Sequence, residues 1–228
     1  MEFSRDPQLE YELSERLRMK YTQPRPDLHL SDLIGCLTAS YFDKWEPVQH
    51  DDKAIMFFAI GFGLEEVILR DDDTPPPEVV EEDGIHMTMD YISTLGGQPV
   101  DLKSTRMRFK DDGTPAKHGW PEHWMKQFKA YAYARQDTRF SVAVIQLIGA
   151  ELIAGTFNFT WEELEENWYY ILGRRDIWRT AQHTGVPPTP FKFNHGASKN
   201  SFECKNRTST CRYWLRCGKI DRELQGKE

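Results

Sequence analysis

Pro99-Val100-Asp101-Leu102-Lys103-Ser104-Thr105 is the stretch around which the rest of the chain can be read. In an extended strand, residues two apart share a face, so Asp101 and Lys103 project together while Val100 and Leu102 occupy the other side. Just upstream, residues 85–92 alternate in a strand-like way and Gly96-Gly97 supplies a turn. If these two strands pair, Asp90 and Asp101 meet at one end of a sheet. Gly61-Phe62-Gly63-Leu64-Glu65-Glu66 comes earlier, on a helix able to pack over that sheet.

Moving outward, residues 6–21 read as a charged amphipathic helix, ended by Gln23-Pro24-Arg25-Pro26. Ser31 is placed to cap a second helix reaching about residue 44, with Cys36 inside it. Asp51 or Asp52 caps a third, through Ile60 to about Leu69, and Pro75-Pro76-Pro77 opens a loop. Beyond the central strand, residues 120–135 read as a helix. Residues 141–148 and 151–159 read as strands joined in a hairpin at Gly149-Ala150, and residues 161–180 as a long helix. Residues 186–203 form a loop that leads to the last three cysteines. This order of elements predicts an α/β fold, a mixed β-sheet flanked by helices, in a single domain spanning 1–228.

A chain of 228 residues can bury a sizeable core, and 39% hydrophobic with 13% aromatic residues excludes a disordered protein. The first ten residues lack the basic start and apolar stretch of a signal peptide, and the longest apolar run, 54–64, is too short for a bilayer. A cytoplasmic, intracellular protein without a membrane partner is expected. In a reducing compartment its four cysteines are better metal ligands than disulfides. Net charge is −7, yet residues 71–83 hold seven acids and no base, while residues 192–219 hold seven bases against Glu203 alone. A basic region on an acidic chain is compatible with nucleic acid, although charge alone is equally served by two solvated faces.

The carboxylates and the lysine point to chemistry at phosphate. Hard divalent cations take oxygen ligands, a bound ion acidifies water and neutralises phosphate charge, and an ammonium group offsets charge in the transition state. Glu65 (or Glu66), Asp90, Asp101 and Lys103 therefore form a candidate site for phosphodiester hydrolysis. Singly, each signal is weak: an Asp-x-Lys is usually an exposed pair, and Glu65-Glu66 can be a polar helix face. Their order and apolar strand neighbours carry the argument. The histidines show neither HxH nor HExxH spacing, against a zinc hydrolase, and no Walker A sequence follows Gly61-Phe62-Gly63, against a helicase.

In this order the motifs resemble the RecB-like branch of the PD-(D/E)XK nucleases. That family's pattern is a glycine-led helix with a metal-binding His or Glu, an Asp ending a strand, Asp/Glu-x-Lys on the next, and then a Gln-x-x-x-Tyr helix. Gln127-Phe128-Lys129-Ala130-Tyr131 matches the last element, and Gln127 and Tyr131, four apart, share one helix face. Where many members have His in the first motif, this chain has Glu65. The resemblance implies a restriction-endonuclease-like core. In it Lys103, Asp101, Asp90, Glu65, Gln127 and Tyr131 are catalytic, with Glu65, Asp90 and Asp101 as ligands for Mg2+ or Mn2+.

Cys36 stands alone, and Cys204, Cys211 and Cys217 lie together near the end. This layout resembles the iron–sulfur subset of the same family, the CRISPR-associated Cas-four exonucleases and phage relatives, in which a cluster clasps the two ends of the chain. His29-Leu30-Ser31-Asp32-Leu33 resembles the helix of the first cysteine. Cys211-Arg212-Tyr213-Trp214-Leu215-Arg216-Cys217 matches the final C-x-Y-x-x-x-C segment, although six residues separate Cys204 from Cys211. The resemblance implies that segments 30–45 and 200–220 join at a 4Fe–4S cluster. A structural zinc on the same four thiolates is the alternative.

By the same resemblance the protein is expected to be a metal-dependent deoxyribonuclease, an exonuclease on single-stranded DNA or duplex ends. DNA is its partner, with a helicase or a recombination or adaptation protein as a further one. Arg207, Arg212, Tyr213, Trp214 and Arg216 are expected to guide the strand by phosphate contacts and stacking. A non-catalytic DNA-end-binding or assembly subunit, and a restriction-type endonuclease, are the alternatives.

Overall fold

The computed structural model describes residues 7–21, 27–48, 52–69, 77–92, 99–189, 213 and 216–217. In chain order the elements are α1 (Pro7–Tyr21), α2 (Leu30–Ile34), α3 (Leu37–Trp45), α4 (Asp52–Leu69), β1 (Glu78–Glu82), β2 (Ile85–Met89), β3 (Tyr91–Ile92), β4 (Pro99–Thr105), α5 (Glu122–Ala134), β5 (Arg139–Gln146), β6 (Glu151–Asn158) and α6 (Trp161–Thr184). They fall into two compact units, Met1–Pro26 with Gln49–Pro75, and Asp27–Val48 with Pro76–Glu228. The first contains α1, with an Arg16–Glu12 ion pair of 2.6 Å one turn apart, and α4, which buries Ile55 completely.

The second unit is a mixed α/β fold. Its four-stranded sheet has the order β3-β4-β5-β6. β4 runs parallel to β5, with Asp101 opposite Val142 and Lys103 opposite Val144, and the other pairs are antiparallel. Parallel neighbours require a crossover, and α5 provides it. The long α6 starts at Thr160, whose side chain accepts from Glu163 N–H at 3.2 Å while Thr160 N–H donates to Glu163 Oε2 at 3.0 Å, a reciprocal cap that satisfies two amides otherwise left bare. Gly185, at φ +69°, ends it, a left-handed position that glycine adopts without penalty. Phe128 of α5, Phe140 and Val144 of β5, and Trp168, Ile171 and Trp178 of α6 form the middle of the core.

Three elements differ from the sequence expectation. The single helix over 31–44 is two helices. α2 gives way to extended backbone at Gly35, and Cys36 is the residue that caps α3 and not one inside a helix. His29, rather than Ser31, precedes the first turn of α2, its N–H donating to Asp32 Oδ2 at 3.0 Å. The break persists because buried Arg174 of α6 donates to the Leu33 and Gly35 carbonyls, which the broken helix leaves unsatisfied.

β1 lies within the run read as an acidic loop. It pairs with β2 through Asp83-Gly84 at φ +55° and +73°, the left-handed pair of a two-residue hairpin. Trp168 Nε1 donates to Asp83 Oδ2 at 2.9 Å and Arg175 to the Asp83 carbonyl at 3.0 Å, so α6 grips the hairpin tip. Finally, the strand expected over 85–92 bends at Asp90 and becomes β2 and β3.

The chain's end returns to its beginning at α3. Tyr213 Oη donates to Asp43 Oδ1 at 2.6 Å and accepts from Val48 N–H at 3.2 Å. Its ring lies 5.2 Å from that of Phe42, and Arg216 pairs with Glu46 at 2.9 Å. Cys36 and Cys217 are buried and in no disulfide; Cys204 and Cys211 lie outside the described residues. No helix among the described residues is long and apolar enough to cross a membrane.

Candidate active site

Asp101 and Lys103 share a face of β4, as alternation requires. Asp101 is 1% exposed, and its Oδ2 lies 2.7 Å from Lys103 Nζ, whose side chain is 18% exposed. A lone ionised carboxylate so deeply buried costs several kcal/mol, so a cation beside it is a condition of its burial. Val100 and Leu102, on the opposite face, are half-buried.

From the lysine a run of hydrogen bonds crosses to α5. Lys103 Nζ donates to Gln127 Oε1 at 2.9 Å, Gln127 Nε2 donates to Tyr131 Oη at 2.8 Å, and Tyr131 Oη donates to the Thr88 carbonyl at 2.9 Å. Chemistry fixes each direction: an ammonium only donates and a carbonyl only accepts, so the amide and the phenol have one consistent orientation. The four-residue spacing of Gln127 and Tyr131 puts both on the helix face that meets β4. Phe128 lies between them, 6.0 Å from Lys103 Nζ, and keeps the ammonium in an apolar setting where charge interactions are strong.

Asp90 joins at the bend between β2 and β3. Its Oδ2 accepts from Leu102 N–H at 2.8 Å. The register pairs Tyr91 with Val100, so Asp90 and Asp101 follow as the next positions on neighbouring strands. Asp90, Asp101, Lys103, Gln127 and Tyr131 are thus brought together. Glu65 and Glu66 lie on α4, in the other compact unit. Among the described residues no three His, Cys, Asp or Glu side chains converge as an ion site.

Of the tail residues expected to guide a strand, Tyr213 is 1% exposed and committed to α3, and Arg216 is paired with Glu46. Tyr213 therefore offers no face for stacking, while the Arg216 side chain is 41% exposed. Arg207, Arg212 and Trp214 lie outside the described residues. The Thr88 carbonyl, which ends the relay, carries no side-chain signal by which sequence reading could have found it.

No family model matches the chain, and no curated protein matches it. Among solved structures, one described as "Crystal structure of SSO0001" is similar at 15% identity. The match covers 71% of this chain and 85% of that one, with a TM-score of 0.43.

Proposed function

We propose that the protein is a Mg2+- or Mn2+-dependent deoxyribonuclease of the RecB-like PD-(D/E)XK type, an exonuclease on single-stranded DNA or duplex ends. The observation that supports this reading is the buried Asp101–Lys103 pair, continued through Gln127 and Tyr131 and set beside Asp90. Asp90 and Asp101 offer oxygen donors of the kind a hard divalent ion takes and would hold it, with Glu65 of α4 as a third ligand by resemblance. When bound, such an ion neutralises phosphate charge and acidifies water. Lys103, aimed by Asp101 and Gln127, places positive charge where the phosphorane-like transition state gathers negative charge. Tyr131, anchored on Thr88, keeps Gln127 from turning its amide away.

The same reading assigns Cys36, Cys204, Cys211 and Cys217 to a 4Fe–4S cluster, with structural zinc as the alternative. Its support is that Cys36 and Cys217 are buried thiols on the two segments that Tyr213 ties together. A helicase or a recombination or adaptation protein is the corresponding partner.

The deciding experiment incubates end-labelled single- and double-stranded DNA with Mg2+ or Mn2+, with and without a chelator, and reads the products on a gel. Progressive shortening of linear DNA that stops in chelator is the expected result. Binding without cleavage would assign the fold to a non-catalytic end-binding subunit. Discrete fragments from a closed circle would assign it to an endonuclease, and undiminished cleavage in excess chelator would remove the carboxylates from the chemistry.

A further inference from the structure

Arg174 lies midway along α6, between buried Ile171 and Trp178, with 8% of its surface exposed. A guanidinium persists in such a place only where its donors are answered. Its Nε donates to the Leu33 carbonyl, one terminal nitrogen to the Gly35 carbonyl, and the other to Tyr170 Oη at 3.1 Å. Its Cζ stands 5.4 Å from the centre of the Tyr170 ring. The planar fork holds two acceptors in one fixed relation, which an ammonium group does not.

The Gly35 oxygen belongs to the peptide that joins Gly35 to Cys36, so the fork fixes the plane from which Cys36 departs. In an unbroken helix the Leu33 and Gly35 carbonyls would take the amides of Leu37 and Ala39, and Cys36 would be an interior residue. Instead both carbonyls turn to α6, and Cys36 starts α3, its own carbonyl accepting from Ser40 N–H at 2.9 Å. The glycine does not force the break. Gly35 has φ −91°, and a Cβ there would meet nothing within 4 Å. The arginine sustains it, and what the break re-aims is the buried cysteine that follows.

We propose that Arg174 is the positioning residue for the Cys36 thiolate, setting it at the start of α3 as a ligand of a cysteine-bound metal centre. The inference rests on the reading that assigns Cys36, Cys204, Cys211 and Cys217 to such a centre, and adds the residue that aims one of the four. The donors suit it. Thiolates are the soft ligands that iron–sulfur clusters and zinc take, and Cys36 and Cys217 are buried and in no disulfide. A guanidinium one peptide away from Cys36 also offsets negative charge where thiolates gather. Groups that orient a metal ligand from behind change metal affinity about 10–100-fold.

Protein is purified anaerobically, and iron and zinc per chain, visible spectrum and melting temperature are read across a chelator series. The parent should carry about four irons per chain, or about one zinc. In Arg174→Gln the chelator concentration that strips half the metal should fall about tenfold or more. Arg174→Lys keeps the buried charge but lacks the fork, so it should show the same fall and guards against misfolding of Arg174→Gln. Leu164→Ala opens the buried core of the same helix about 15 Å away, and should lower the melting temperature with the parental stripping point retained. A parental stripping point in either Arg174 variant overturns the positioning role and leaves the cysteine centre standing. An equal fall in Leu164→Ala also overturns it, because the loss would then follow from stability alone. A parent that carries neither metal overturns both.

Discussion

Tyr131 and Tyr213 are both almost fully buried, at 5% and 1% exposure, and each sets its hydroxyl between polar partners. Tyr131 reaches 43 residues back to Thr88 and receives Gln127, whose amide holds a lysine still 18% open to solvent. Tyr213 reaches 170 residues back to Asp43 and accepts from Val48 N–H, with its ring against Phe42. The first region is a polar run that ends at a partly exposed ammonium group. The second is a polar knot that closes a long loop, and loop closure is an entropic constraint on the unfolded chain. On the proposed function, one burial pattern serves chemistry in one place and cohesion in another, and substitutions should separate the two.

The largest effect is expected at Asp101. Asp101→Ala should reduce cleavage by about a thousandfold, in line with loss of a group central to transition-state charge, while leaving any visible absorbance of a cysteine-bound cluster intact. Cys217→Ala should do the reverse, bleaching the protein and lowering its melting temperature before activity falls. Cleavage by Asp101→Ala at the parental rate would dissolve the distinction. Sequence alone sets Asp101 among like charges, where its removal relieves repulsion. The 2.7 Å pair with Lys103 reverses that sign. Breaking a buried pair costs about 3–5 kcal/mol, and the partial exposure of Lys103 brings the expected loss to about 2.

A smaller pair of effects sharpens the contrast between the tyrosines. Tyr131→Phe should lower kcat about tenfold with DNA affinity retained, because the amide of Gln127 loses its anchor. Tyr213→Phe should leave kcat unchanged but cost about 1–2 kcal/mol by stripping a buried hydrogen bond, a fall of several degrees in melting temperature. Equal kinetic losses in both variants would show that the two regions are not separate in function.

The smallest effect lies at Glu163, outside both regions. Its carboxyl is held below the ordinary value of 4.5 by the Thr160 N–H in the helix cap, with Lys129 assisting. A depressed acid contributes stability that is complete above 4.5 and is lost as pH falls through its lower folded-state value. Glu163→Gln should therefore lower the melting temperature by about one degree at neutral pH, and the gap should close in acid. A gap that widens in acid would reverse the assignment.

β4 was legible to the residue because Asp101 and Lys103 alternate with apolar neighbours over a full strand. Gln127 and Tyr131 were picked out by the family resemblance; helical spacing added only that they share one face. The break at Gly35 was not: Leu30, Leu33, Leu37 and Tyr41 keep a helical beat straight across it, and the residue that sustains the break, Arg174, lies some 140 positions away. β1 was hidden because its acids read as a solvated loop, although Asp83-Gly84 carried a hairpin signal.

The parallel pairing of β4 with β5 has a consequence for a chain made from one end. On the ribosome, Asp90, Asp101, Lys103, Gln127 and Tyr131 all emerge before Arg139, the first residue of β5. Until then β4 has only the two-residue β3 as a sheet neighbour, and crossover pairings of this kind form late because a helix must first be laid across the sheet. A nascent chain stalled ahead of β5 carries all five of these side chains without the strand that seats β4. A site built this way is aligned only on the arrival of a strand that contributes none of its five side chains.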